Sequence, residues 1–242
     1  MKLVINSNVN YKKPLSKMLE SLIESGFKRF EDIIVVVGQC KNDEEPRKIK
    51  ISEISNLNYE HHVTLIKMKL NNFDYTGYHA LHLHYFHPLV ISDWYMYVLD
   101  TVTFTNHFLV FLSRARLNSE ELLITKRPHS NICAFGRGVI ENYGDNFGTE
   151  LNKNEAIRLE FEEEISKNVK GICSFGKITH ARSRVLFGDK DVYKTGFARK
   201  GFYYPEFGLS KWIFWGGCGD ITGMISKNKP FEESPEQEDS FF

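Results

Sequence analysis

Four short segments of this chain carry the residue types that could do chemistry: Asn6-Ser7-Asn8, Gly38-Gln39, Asn71-Asn72-Phe73-Asp74-Tyr75-Thr76-Gly77 and Asp100-Thr101. Asp100 is the sharpest of them. The run before it, Trp94-Tyr95-Met96-Tyr97-Val98-Leu99, is apolar or aromatic throughout, as a strand buried on both faces requires. A carboxylate where such a strand leaves its sheet suits a divalent cation, and a cation suits a phosphate. Ligands of open α/β sheets sit at the carboxyl ends of the strands. The plainer role for Asp100 is to close the turn after the strand, which Asp does well. The remaining segments suit a nucleoside diphosphate. Asn and Asp hydrogen-bond base and ribose edges, an aromatic stacks on the base, and helix N-terminal amides face phosphate. Asp74 and Thr76 suit helix capping equally well, and the two roles coexist.

Other chemistries are excluded by spacing. There is no G-x-x-x-x-G-K-[ST] phosphate loop. The first strand runs into Asn6-Ser7-Asn8 and not into Gly-x-Gly-x-x-Gly, which argues against a dinucleotide-binding dehydrogenase. Gly216-Gly217-Cys218-Gly219-Asp220 has glycines at the wrong spacing and reads as a turn. Cys40, Cys133, Cys173 and Cys218 lie far apart, which suits buried thiols in a reducing compartment and not a zinc ribbon. His79, His82, His84 and His87 would spread over more than half of a helix turning by about 100° per residue. They cannot converge on one ion and read as a half-wet helix beside the crevice.

The elements that must position these residues follow from periodicity. Residues 2–5 form a short strand that opens into a polar loop at 6–11. Pro14 opens a helix whose apolar face is Leu15, Met18, Leu19, Leu22 and Ile23, closed by Gly26. Residues 32–38 are a central parallel strand, completing a βαβ unit. Residues 41–58 are a loop or an edge excursion, 63–68 a third strand, and 76–86 a helix before Pro88. Alternating strands and helices argue for a doubly wound layer. Beyond residue 104 the pattern changes: 108–117 reads as helix, 131–140 as extended, and 154–167 as an acid-rich amphipathic helix. From Gly171 glycines and aromatics dominate, with short strands expected. Residues 229–242 hold five acids and two prolines and read as a mobile tail.

Thirty-one basic residues balance thirty-one acidic ones among 242, so nothing global attracts nucleic acid or an anionic membrane. The N-terminus turns polar too soon for a signal peptide, and no stretch reaches the apolar length of a membrane span. A cytoplasmic location is expected.

The order of these motifs resembles a GT-A glycosyltransferase, similar to small bacterial and large-DNA-virus members. The resemblance rests on the Leu-x-x-Leu helix, the Ile-Ile-Val-Val-Val-Gly strand, Asn-x-Phe-Asp-Tyr-Thr-Gly and the Leu-Asp-Thr strand end. It continues through Thr125-Lys126-Arg127-Pro128-His129-Ser130-Asn131-Ile132 to Phe202-Tyr203-Tyr204-Pro205. It implies a single α/β domain over residues 1–228, with a mostly parallel sheet flanked by helices. Residues 1–104 would bind a nucleotide-sugar donor, and 105–228 a glycan or small-molecule acceptor. Asn6, Ser7, Asn8, Gly38, Asp74, Thr76 and Asp100 would frame the donor. The family's Asp-x-Asp metal motif reads Asp100-Thr101-Val102 here, so Asp100 would hold Mn²⁺ or Mg²⁺ with the diphosphate, and His180 could complete the shell. Asp145 and Glu155 are the candidates for the base that takes the acceptor's proton, Glu155 matching the family position better. Glu155 fits equally as part of a solvated acidic helix face. The aromatics from Phe202 to Trp215 suit the apolar faces of sugars, or a core. The alternative is a non-catalytic carbohydrate- or nucleotide-binding module on the same fold.

Overall fold

The computed structural model describes residues 1–71, 75–106, 108–109, 122–124, 132–143, 182–184, 199–204 and 209–214. Its main layer is a seven-stranded sheet. In chain order its strands are β1 (Lys2–Asn8), β2 (Ile33–Gly38), β3 (Glu44–Lys50), β4 (His62–Lys67), β5 (Trp94–Leu99), β7 (Leu122–Ile124) and β8 (Ile132–Gly136). They lie side by side as β3-β4-β2-β1-β5-β8-β7. A second sheet of order β6-β11-β10-β9 is built from β6 (Val102–Phe104), β9 (Arg182–Arg184), β10 (Arg199–Tyr204) and β11 (Leu209–Phe214).

Four strands, β4, β2, β1 and β5, run parallel, and their residues are the β-branched and aromatic runs expected of central strands. The pleat sends alternate residues to opposite faces. Leu3 and Ile5 of β1, Ile33 and Val35 of β2, and Met96 and Val98 of β5 meet α1 (Lys12–Glu24) through Leu15, Met18, Leu19 and Leu22. Val4, Ile34, Val36, Tyr95 and Tyr97 face α3 (Thr76–Leu83) and α4 (Arg137–Tyr143) through Tyr78, Ala80, Leu81, Val139 and Ile140. The sheet is therefore covered on both faces, which is why its central strands read as unbroken apolar runs. Pro14 sits in the first turn of α1, where its missing N–H has no intrahelical partner to lose. Gly26, at φ +86°, takes the left-handed conformation that ends the helix.

Four expectations need correction. First, the sheet is mixed and not mostly parallel. Three of its strand pairings are parallel and three, β3–β4, β5–β8 and β7–β8, are antiparallel. Strand direction is set by where connections return, which residue types do not encode. Second, Asn6, Ser7 and Asn8 belong to β1 and not to a loop; they pair with Val36, Val37 and Gly38. The ladder of β2 satisfies their backbone groups, and backbone pairing outweighs the polar side chains. Third, α3 ends at Leu83, with turns from His84 onward. Fourth, the extended run closes at Gly136, and Arg137 begins α4. The segment at 41–58 is the edge excursion: β3, with a register shift between Glu44 and Arg47, then the short helix α2 (Ile51–Ile54). Charged residues, Pro46 and this irregularity keep the exposed edge from recruiting another strand.

No helix among the described residues is long and apolar enough to cross a membrane.

Candidate functional site

The chain starts at β1, moves outward through β2 to β4, then crosses back to lay β5 on the other side of β1. The carboxyl ends of β1 and β5 therefore flank the point where winding reverses, the place where open α/β sheets hold ligands. Five polar residues are buried there: Asn6, Ser7, Asn8, Asp100 and Thr101, each no more than 8% exposed.

The pleat divides them. Ser7 and Asp100 continue the columns that face α1. The Ser7 hydroxyl donates to Asp100 Oδ2 at 2.7 Å in a buried, short hydrogen bond. The Asp100 amide donates to the Asn6 carbonyl at 3.1 Å, so the carboxylate is fixed at both its backbone and its side chain. Asn6 and Asn8 continue the opposite columns, toward α3. Asn8 Nδ2 donates to Gln39 Oε1 at 3.0 Å, and Asn8 Oδ1 accepts the Asn10 amide at 3.0 Å. Asn10 and Asn71 direct their own carboxamide N–H groups at the same Gln39 oxygen, at 3.5 and 3.4 Å.

Gly38 and Gln39 make this convergence possible in different ways. A Cβ on Gly38 would stand 3.1 Å from the Leu70 carbonyl and 3.1 Å from Thr76 Cγ2. Glycine is there for space, since α3 enters against that point of β2. Gln39 carries the unusual backbone, φ +61°, which a glutamine adopts only when its surroundings impose it. The imposition is visible: Gln39 N donates to the Leu70 carbonyl at 3.3 Å, and Cys40 N to the Met68 carbonyl at 2.9 Å.

The helices α1 and α3 both begin beside these strand ends, neither with a side-chain cap nor an acid in the first turn. α1 instead begins with Lys12, a cation at the positive end of a helix dipole. Both features favour an anion nearby.

The structure thus brings Asn6, Ser7, Asn8, Gly38, Thr76 and Asp100 to one end of the sheet, as expected. Asp74, Asp145, Glu155 and His180 lie outside the described residues. Gln39 and Asn71, which fall in two of the segments the sequence marks but not among the residues expected to frame the donor, join the site, and so does Asn10. Their signal was a carboxamide next to each strand end.

The donor set bears on the metal. No group of three His, Cys, Asp or Glu side chains able to hold an ion occurs among the described residues. Asp100 alone supplies a hard, buried carboxylate. That fits Mg²⁺ or Mn²⁺ only in the mode where phosphate and water oxygens complete the shell.

The histidines lie along and just after α3. His84 Nδ1 is 3.4 Å from Glu45 Oε2, and His79 Nδ1 is buried without a hydrogen-bond partner. Burial holds both imidazoles below their usual 6.5, with His82 adding to the effect at His79 and Glu45 opposing it at His84. The folded chain therefore binds fewer protons than the unfolded chain just below 6.5. Stability is fully present above that value and falls as pH drops through it. Melting temperature is expected to decline between pH 7.5 and 5.5, and His84→Gln to flatten the decline. An unchanged slope in that variant would assign the pH dependence elsewhere.

Comparison with known proteins finds no family model that matches the chain and no curated sequence similar to it.

Proposed function

We propose that this protein is a glycosyltransferase of GT-A type that moves a sugar from a nucleotide-sugar donor to a hydroxyl of a glycan or other acceptor. The observation that carries the reading is Asp100, a buried carboxylate clamped by Ser7 at the winding reversal between β1 and β5. The uncapped starts of α1 and α3, and the carboxamides around Gln39, add an anion-favouring and a base-reading environment on either side of it.

In the proposed reaction the acceptor oxygen bonds to the anomeric carbon as the bond from that carbon to the diphosphate breaks. The nucleoside diphosphate leaves with the electron pair, and the acceptor's proton passes to a carboxylate, for which Glu155 is the candidate from the resemblance. Asp100 and the diphosphate would together hold Mn²⁺ or Mg²⁺. The ion would neutralise charge building on the leaving group. Ser7 orients the Asp100 carboxylate, and Asn6, Asn8, Gly38, Asp74 and Thr76 frame the nucleotide.

Thermal unfolding against nucleoside diphosphates and nucleotide-sugars, with Mn²⁺ and with chelator, tests this. A ligand at a hundred times its dissociation constant is expected to add about 2.7 kcal/mol. The shift should vanish with chelator. Stabilisation by no member of the panel would overturn the reading. The missing second carboxylate, Val102 in the Asp-x-Asp pattern, favours the binding-module alternative. Ligand-dependent stabilisation without donor hydrolysis or transfer would decide for that alternative.

A further inference from the structure

The second sheet places its residues on two unlike faces. Pairing along β6-β11-β10-β9 runs without a register shift, so residues opposite one another share a face and sequence neighbours alternate between faces. The strand β6 shows which face is which. Val102 and Phe104 lie in the core that α1 covers, where Phe104 N donates to Ser21 Oγ at 3.1 Å, and Thr103 between them is half-buried.

Register carries that division across the sheet. The face of Val102 and Phe104 receives Leu209, Ile213, Phe202 and Tyr204, residues of a core, with Lys200 and Lys211 among them. The face of Thr103 receives Tyr203, Trp212 and Phe214 together with Arg182, Arg184 and Arg199. All the arginines of these strands thus fall on one face, and no acid occurs in any of the four. In a chain whose charges balance overall, this is a local surface for an anion. Charge on an edge strand such as β9 also guards against further pairing. That role does not extend to Arg199, on the interior strand β10.

Gly201 holds the centre of this face. Its nearest positions there are Trp212 across on β11, Arg184 across on β9, and Arg199 and Tyr203 two residues away along β10. Glycine weakens the interior of a strand and marks a place where a ligand or another backbone comes close. The register therefore sets a position without a side chain among two aromatic and two arginine positions. Neighbours across strands are about 5 Å apart and neighbours along a strand face about 7 Å, the scale of one sugar ring and its substituent.

We propose that Gly201 is the floor of a subsite for an acidic sugar, with Trp212 and Tyr203 taking the ring and Arg184 and Arg199 its carboxylate or phosphate. Aromatics suit the apolar faces of sugars, and a guanidinium pairs in bidentate fashion with either oxyanion. That this sugar is the acceptor of the transfer rests on the reading above; that it binds does not. From Tyr203 to Arg199 the face extends roughly 14 Å along the strand, short of the four or more nucleotides that a base-stacking groove follows. The length favours a glycan over single-stranded RNA.

Titration calorimetry of the full chain tests this with two matched pairs: trigalacturonate against its carboxyl-reduced form, and mannobiose 6-phosphate against mannobiose. In one pair or both, the acidic member is expected to bind about tenfold tighter, the scale of a hydrogen bond to a charged group. The pair that responds tells carboxylate from phosphate. Arg184→Gln is expected to erase the difference. Gly201→Val fills the gap with a residue that favours strands, so the melting temperature should hold or rise while binding of the acidic sugar is lost. Arg184→Gln carries the test if Gly201→Val does not fold. Undiminished preference in either folded variant would overturn the inference. So would the absence of an acidic preference in both pairs, or tighter binding of a twelve-nucleotide oligouridylate; each of these leaves the nucleotide-dependent stabilisation to judge the transferase reading. Acidic-sugar binding in a protein that no nucleotide stabilises would keep the subsite and overturn its assignment to an acceptor.

Discussion

Asp100→Asn is expected to remove the cation-dependent part of nucleoside diphosphate binding, and turnover with it, in a protein that still folds. The substitution preserves shape and leaves an oxygen to accept the Ser7 hydroxyl, now 2.7 Å from Oδ2. What it removes is the negative charge, and a hard divalent ion has no other described carboxylate of the site to turn to. A loss of about a hundredfold in Mn²⁺-dependent affinity is the expected scale, or about 2.7 kcal/mol. Asp100→Ala would show the same loss together with about 1–3 kcal/mol of destabilisation, since Ser7 would be left buried beside an apolar group. A folded Asp100→Asn protein with undiminished Mn²⁺-dependent stabilisation and transfer would end the metal role.

Gly77→Ala is expected to be the most destabilising small substitution in the α3 layer. A Cβ at this position would stand 2.5 Å from Tyr97 Oη and 2.6 Å from Tyr97 Cε2, distances that real carbon atoms do not adopt. Tyr97 cannot swing aside. It is fully buried, stacked on Tyr78 with ring centroids 4.1 Å apart, and flanked by Phe135. Tyr78 is itself fixed, its hydroxyl 2.7 Å from Cys133 Sγ. The helix must lift instead, at a cost of about 3 kcal/mol, the upper end of ordinary overpacking. For a chain of this size that lowers the melting temperature by about 6–12 °C. Because α3 enters at Thr76 beside Gly38, its displacement should also weaken ligand binding. A melting temperature within a degree of the parent would show that α3 absorbs the methyl freely.

Much of this architecture is legible in the sequence because burial writes itself into residue type. Residues 33–38 and 94–99 are apolar throughout, and both are central strands. The α1 face, Leu15, Met18, Leu19 and Leu22, packs as its spacing requires. Three things were not legible. The end of β1 was hidden because Asn6, Ser7 and Asn8 look like a loop, while their pairing is decided by a neighbouring strand. The directions of β3 and β8 depend on connections, not composition. The strained backbone at the end of β2 falls on Gln39 and not on Gly38, since the glycine is needed for clearance. Glu155 and Asp74, expected as base and nucleotide ligand, lie outside the described residues.

The alternation along β1 has a consequence for how such a crevice changes over generations. Ser7 belongs to the side of the sheet that carries Asp100, and Asn8 to the side that carries the Gln39 cluster. Neighbours in sequence thus serve opposite surfaces of one layer. Substitutions at Asn8, Gln39 or Asn71 therefore alter one side of the layer while the Ser7–Asp100 hydrogen bond on the other is left in place. A single-residue insertion within β1 would instead trade the two sides at once for every residue after it.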